Sequence, residues 1–253
     1  MINKVVASFD EAVSDILSGA TIHLGGMHQL PENLTAAVAR KGIRDLTVIS
    51  CALSQPGPSN KNVSYGRGPR LNSPDSPFMV TAGLWSELGM IRKGFTSFSS
   101  NMRGDARMPF EALIEAGLAE VEINSQGILA ERIRAAKAGI AAFYSTTSAG
   151  SPITAHKEVR EFDGVTYVLQ TALKADFALI RATYADRWGN LFFDQPASFN
   201  HTMAGAATVT IVEVDEIVPL GELRPEQIKT PGVLIDRIVK RPLGPLTSWK
   251  DPC

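Results

Sequence analysis

The stretch Ala20–Leu34 reads A-T-I-H-L-G-G-M-H-Q-L-P-E-N-L. It decides the fold, because it carries a strand, a glycine turn and a helix start in immediate succession. Thr21 to Leu24 is a short apolar run of strand type. Gly25 and Gly26 permit backbone conformations closed to other residues and let a ligand approach the main chain. Pro31 fits the first turn of a helix, and Leu34, Ala37 and Val38 then recur at helical spacing. A helix opening behind a glycine turn offers free N–H groups and a positive dipole end, suited to a phosphate or a carboxylate. A bare Gly-Gly is equally a plain tight turn, so its meaning depends on the rest of the chain.

Outward from this stretch, strands and helices alternate. Ser8 and Glu11 have capping-box spacing, and Phe9, Ala12, Val13, Ile16 and Leu17 lie on one face of a helix expected over 9–18. The strand is expected over 20–25 and the next helix over 31–41, ended by Gly42. Leu46 to Ser50 reads as a buried strand. Leu53 to Pro77 is rich in Pro, Ser, Asn and Gly and reads as a long loop, either functional or mobile. Further strands are expected at 95–99, 119–123, 141–145, 177–180, 190–193 and 208–212. Helices are marked by Phe110, Leu113 and Ile114, and by Leu129, Ile133, Ala136 and Ile140. Asp163-Gly164 between two alternating segments predicts a hairpin over 158–169. The pattern implies an α/β fold: an open, largely parallel sheet flanked by helices, with a small antiparallel addition.

Composition excludes several classes. A 253-residue chain that is 44% hydrophobic has length for one sizeable core, and a net charge of -1 gives no electrostatic case for nucleic acid or an anionic membrane. No apolar run is long enough to span a bilayer, and the N-terminus does not read as a signal peptide, so the cytoplasm is the default location. Cys51 and Cys253 form no metal or redox spacing, and no His is spaced with Cys or acids for a metal, so no metal site is expected. No Ser sits in a G-x-S-x-G turn.

Residues 126–143 read Q-G-I-L-A-E-R-I-R-A-A-K-A-G-I-A-A-F. They resemble the Q-G-x-L-A-E-R-I-R-A-x-x-x-G-I-x-A-F signature of the A (alpha) subunits of class I 3-oxoacid coenzyme A transferases. Segments 157–164, 175–179, 185–191, Ser198-Phe-Asn200 with Met203, and Thr230-Pro-Gly232 follow in the same order. The likeness runs from about residue 2 to 239, apart from roughly 52–95. It implies one unit over 1–240 with a tail over 241–253, paired with a homologous B (beta) subunit in a heterodimer or heterotetramer. It also implies transfer of coenzyme A from an acyl-CoA thioester to a carboxylic acid, with no permanently bound cofactor. In that family the nucleophile is a B-subunit glutamate; its Glu-x-Gly context is missing here, so no catalytic residue is expected on this chain.

The glycines fall where the family has its coenzyme A loop. Gly25, Gly26, Met27, His28 and Gln29 are therefore the candidate binding turn, with Gln126 and Asn200 as further candidates. Backbone N–H groups there would stabilise oxyanions formed during transfer. Gln126 reads either as an oxyanion donor or as a helix cap, His28 as a ligand contact or a solvated loop residue, and Asn200 as a substrate contact or not. His23 reads either as a hydrogen-bonded core histidine or as a polar group facing the site. Glu131, Arg132 and Arg134 read as a salt-bridged helix surface or an inter-chain contact.

Three departures stand out, one being that residues 52–95 do not follow the family. The glycine loop is two residues shorter than the family's, and Asp194-Gln-Pro-Ala-Ser-Phe-Asn200 lacks the cations of the family's K-x-x-R-N-F-N. Phe78, Met79, Leu84 and Trp85 are apolar groups able to line a larger pocket. Together these suggest an acyl group larger or less acidic than succinyl or 3-oxoadipyl. The rival readings are a coenzyme A thioester or ring-opening hydrolase on the same scaffold, and a non-catalytic ligand-binding module.

Overall fold

The computed structural model describes residues 2–26, 29–57, 80–100, 107–242, 244, 246 and 248–252. In chain order the elements are α1 (Phe9–Ala12), β1 (Thr21–Leu24), α2 (Glu32–Arg40), β2 (Leu46–Ile49), α3 (Ala82–Glu87), β3 (Ile91–Thr96), α4 (Pro109–Glu115), β4 (Glu120–Ile123) and α5 (Gln126–Lys137). There follow β5 (Ala142–Ser145), β6 (Val159–Phe162), β7 (Val165–Thr171), β8 (Ala175–Asp186), β9 (Leu191–Phe192), α6 (Asn200–Met203), β10 (Ala207–Val218) and β11 (Arg237–Lys240).

The main sheet has the order β11-β10-β8-β1-β2-β3-β4, every neighbouring pair parallel, with β9 added antiparallel to β8. Side chains alternate between two cores. Leu179 and Ile211 face the layer of α1, α2 and α3, while Ile180 and Val212 face the layer of α5 and α6. A second sheet, β5-β7-β6, is antiparallel. Its hairpin turns at Asp163 (φ 50°) and Gly164 (φ 74°), the paired left-handed conformations that a two-residue turn of this type requires. The α/β architecture and the small antiparallel addition are as the sequence pattern implies. No helix among the described residues is long and apolar enough to cross a membrane.

Two local expectations are corrected. The first helix stops at Ala12 instead of residue 18, and Leu17 is exposed. The cause is tertiary. Arg237 takes the Ala12 carbonyl at 2.7 Å, and Lys41 Nζ takes those of Val13 and Ser14 at 2.8 and 2.5 Å, so the acceptors a longer helix would use are already filled. Residues 82–87 form a helix capped by Thr81, whose hydroxyl accepts the Gly83 N–H and donates to the Pro56 carbonyl at 2.8 Å. Leu84 and Trp85 therefore belong to the core beneath α2, with Trp85 Nε1 donating to the Thr35 carbonyl, and do not line a pocket. Phe78 and Met79 lie outside the described residues. Beyond β11, Leu246 is buried, and Arg40 donates to the Trp249 carbonyl at 3.0 Å.

Candidate functional site

β1 to β4 are laid down in order toward one edge, and the chain then returns to place β8, β10 and β11 on the other side of β1. Strand order thus reverses between β1 and β8. In open α/β sheets ligands bind outside the carboxyl ends of the strands at such a reversal. Gly25 and Gly26 leave β1 at that point, and Gly25 N–H donates to the Leu179 carbonyl of β8 at 2.9 Å.

Neither glycine has a positive φ, so the turn does not rest on a left-handed backbone there. The need at position 25 is room. A Cβ on Gly25 would stand 3.2 Å from the Leu179 carbonyl oxygen and far inside contact distance of the Asn200 amide, with Oδ1 at 1.9 Å. At Gly26 a Cβ would meet only ordinary contacts, the nearest being Ser50 Oγ at 3.7 Å. Met27 and His28 lie outside the described residues. Gln29 is buried, and its Nε2 donates to Thr183 Oγ1 at 3.3 Å; the Thr183 hydroxyl in turn donates to Asp194 Oδ1 at 2.5 Å.

Asn200 opens α6 and is fully buried. Its Nδ2 donates to the carbonyls of Gln29 at 3.2 Å and Ala197 at 3.0 Å, and its Oδ1 accepts the Arg181 N–H at 3.4 Å. Gln126, the first residue of α5, is exposed and reaches the thiol of Cys51, which leaves β2 beside the glycine turn. Burial pushes that thiol up to about 11 against the opposing pull of Gln126. The structure thus gathers Gly25, Gly26, Gln29 and Asn200 at the strand ends, with Gln126 alongside across Cys51.

The N-terminus of α2 does not keep a set of free donors for an incoming anion. The Leu34 N–H donates to Glu213 Oε2 at 2.9 Å, and Asn33 Nδ2 donates to Glu213 Oε1 at 3.3 Å. Glu213, wholly buried on β10, supplies the negative charge that the helix dipole favours. Arg241 Nε lies 3.0 Å from Glu213, and its Nη1 lies 2.8 Å from Asp215, which also pairs with Arg181 at 2.8 Å. Burial pushes the carboxyls of Glu213 and Glu32 up, while Arg241 pulls both back. Glu32 Oε1 also accepts the Val80 N–H at 3.3 Å. This cluster escapes notice in the sequence, where the one signal is that Glu213, the first of three acids in β10, directly follows the apolar run Val209–Val212.

Among the remaining candidates, His23 is a buried core histidine. Its Nε2 lies 3.0 Å from the Leu173 carbonyl, and burial lowers its pKa to about 4. Glu131 and Arg134 form the exposed helix pair expected, at 2.8 Å. Arg132 is corrected: it is buried, donates to the Thr171 carbonyl at 2.7 Å and Asn124 Oδ1 at 2.6 Å, and pairs with Glu122 at 2.5 Å. The described residues hold no cluster of His, Cys, Asp or Glu arranged for a metal ion.

The coenzyme A transferase family pattern matches residues 6–58 and 75–241. The chain belongs to the coenzyme A transferase family. The unmatched stretch, 59–74, is narrower than the divergent segment expected over 52–95. The chain is 40% identical to the A subunit of 3-oxoadipate CoA-transferase from Pseudomonas putida, over 94% of each chain. It is 41% identical to the A subunit of succinyl-CoA:3-ketoacid coenzyme A transferase from Xanthomonas campestris pv. campestris, over 88% of this chain and 83% of that one. Its fold is shared with glutaconate coenzyme A-transferase of Acidaminococcus fermentans, with a TM-score of 0.75, 22% identity, and coverage of 94% of this chain and 76% of that one. An acyl-CoA transferase from E. coli O157:H7, solved as a thioester complex with CoA, matches with a TM-score of 0.76 at 21% identity. That match covers 98% of this chain and 49% of the E. coli chain.

Proposed function

We propose that this chain is the A subunit of a two-chain enzyme that moves coenzyme A from an acyl-CoA to a carboxylic acid. The reading is carried by the 40% identity to a protein named as the A subunit of a CoA-transferase, over 94% of both chains. In the reaction proposed, a B-subunit glutamate attacks the thioester carbonyl and expels coenzyme A thiolate, leaving an acyl anhydride. The thiolate then attacks the glutamyl carbonyl of that anhydride, releasing the first acid and leaving a glutamyl-CoA thioester. The acceptor acid repeats the two steps in reverse. Each attack passes through an oxyanion. The part assigned to this chain is the turn at 25–29, which leaves β1 through Gly25 and Gly26 at the strand-order reversal where the thioester is placed in this reading.

The acyl group is proposed to be larger or less acidic than succinyl or 3-oxoadipyl. With Leu84 and Trp85 in the core, that proposal rests on Asp194, an exposed carboxylate in the segment where the family carries cations. A substrate carboxylate brought beside it meets repulsion.

The test is co-expression with the homologous B chain, followed by a panel of acyl-CoA thioesters read for transfer and for release of free coenzyme A. The two chains are expected to co-elute, and this chain alone to show no transfer. Succinyl-CoA with 3-oxoadipate as best pair by kcat/KM refutes the substrate proposal. Free coenzyme A released at full rate without an acceptor acid replaces transfer by hydrolysis. Binding without turnover in the assembled complex leaves a ligand-binding module.

A further inference from the structure

The Asn200 amide is held by groups that leave it one orientation. Two carbonyls, of Gln29 and Ala197, face one end, and they require a donor; the Arg181 N–H faces the other, and it requires an acceptor. One side chain therefore joins three segments: the exit of β1, strand β8 and the 194–199 loop. It is fully buried, and both amide protons are taken by protein carbonyls while its oxygen accepts from the Arg181 backbone. The same amide fills the space beside Gly25. A Cβ at that position would lie 1.9 Å from Oδ1 and 3.0 Å from Cγ, whereas its next neighbour, the Leu179 carbonyl oxygen at 3.2 Å, needs to give by only a few tenths of an ångström.

We propose that Asn200 is a positioning residue that holds Gly25 and Gln29 in place, and that position 25 is glycine to admit the Asn200 amide rather than to admit a ligand. The inference deepens the coenzyme A transfer reading by assigning the residue that holds the turn. It gives Asn200 a duty apart from substrate contact: its amide acts on Gly25 and on the Gln29 carbonyl.

The test is a set of variants in the complex with the B chain: Gly25→Ala, Asn200→Ala, Asn200→Asp, and Gly25→Ala in each Asn200 background. Two readouts are taken, steady-state kinetics and amide hydrogen exchange of the peptide spanning residues 21–34. Gly25→Ala alone is expected to lower kcat tenfold or more and to speed exchange across the turn. Asn200→Ala is expected to do the same, with the change concentrated in kcat rather than KM. Adding Gly25→Ala to Asn200→Ala is expected to cause no further loss, because the methyl then enters the vacated space. Adding it to Asn200→Asp, which keeps the amide's shape, is expected to compound the loss.

Losses that multiply in the Asn200→Ala background overturn the proposal, as does a double variant that fails to fold where Asn200→Ala folds. Near-normal turnover and exchange in Gly25→Ala overturn it as well. The exchange readout needs no turnover. If the assembled wild type transfers no coenzyme A, the clamp is still judged on exchange alone, and the two readings fail separately.

Discussion

Glu213, in the middle of β10, accepts the backbone N–H of Leu34 at 2.9 Å and so closes the first turn of α2 from across the sheet. A carboxylate with no exposure is held there by one helix end and one guanidinium, that of Arg241. Glu213→Ala strands the Leu34 N–H and leaves Arg241 with Asp215 and the more distant Glu32. We expect a loss of about 3 kcal/mol in urea unfolding. Glu213→Gln keeps an acceptor for Leu34 and is expected to cost less than half as much. Equal losses in the two variants would show that the helix cap is not what the carboxylate contributes.

Arg132 and Arg134 lie two residues apart in α5 and make opposite predictions. Arg132 is buried with three partners, and although burial works to raise the Glu122 carboxyl, Arg132 and Lys157 outweigh it and hold it below its ordinary value. Arg132→Met is expected to cost about 3 kcal/mol, since it leaves Glu122 partly buried with Lys157 alone. Arg134, exposed with Glu131, is expected to cost less than about 0.5 kcal/mol on the same change. Comparable falls in melting temperature for both would refute the assignment.

His23 predicts a pH dependence. Its pKa in the fold is lowered from 6.5 to about 4, so the folded chain keeps it neutral while the unfolded chain takes a proton. Stability from this group is therefore whole above pH 6.5 and is lost as pH falls from 6.5 toward 4. The loss is about 2 kcal/mol by about pH 5 and about 3 kcal/mol in full. His23→Gln should remove that part of the slope between about pH 7 and about pH 5 in urea midpoints. An unchanged slope in the variant would place the acid sensitivity elsewhere.

Gly26 stands apart from Gly25. Its would-be Cβ meets nothing nearer than 3.7 Å, so Gly26→Ala is expected to fold and to assemble with the B chain within about 0.5 kcal/mol of wild type. Turnover is the informative reading. A tenfold or greater fall in kcat marks the main chain at 26 as facing the thioester. Near-normal turnover marks it as a simple link between β1 and α2.

The parts of this molecule written in local residue order could be read from the sequence. Strand β1, its glycine exit and α2 follow from apolar spacing and Gly-Gly. The Asp163-Gly164 hairpin follows from the conformations those two residues tolerate, and α5 from its apolar period. What stayed hidden was set by residues distant in sequence. Helix α1 is cut short by Lys41 and Arg237. Helix α3 lies within 52–95, the stretch expected to diverge from the family, and its Gly83 is fixed by a distant neighbour, since a Cβ there would run into the Pro56 carbonyl. Asn200 stood in the sequence as an open choice between substrate contact and structural residue, and its amide's partners at Gln29, Ala197 and Arg181 come from segments that only the packed structure brings together.

The turn's supports also set an order of events in the making of the protein. Gln29 depends on Thr183, 154 residues away, and on Asn200, 171 away; Leu34 depends on Glu213, 179 away. Contacts of such long sequence separation form late, because the intervening chain must first be ordered. On a ribosome, the loop that the whole site turns on is among the first segments to emerge and among the last to settle. A nascent chain halted before residue 179 would own both glycines of the turn and none of the partners at Leu179, Thr183, Asn200 and Glu213 that hold it.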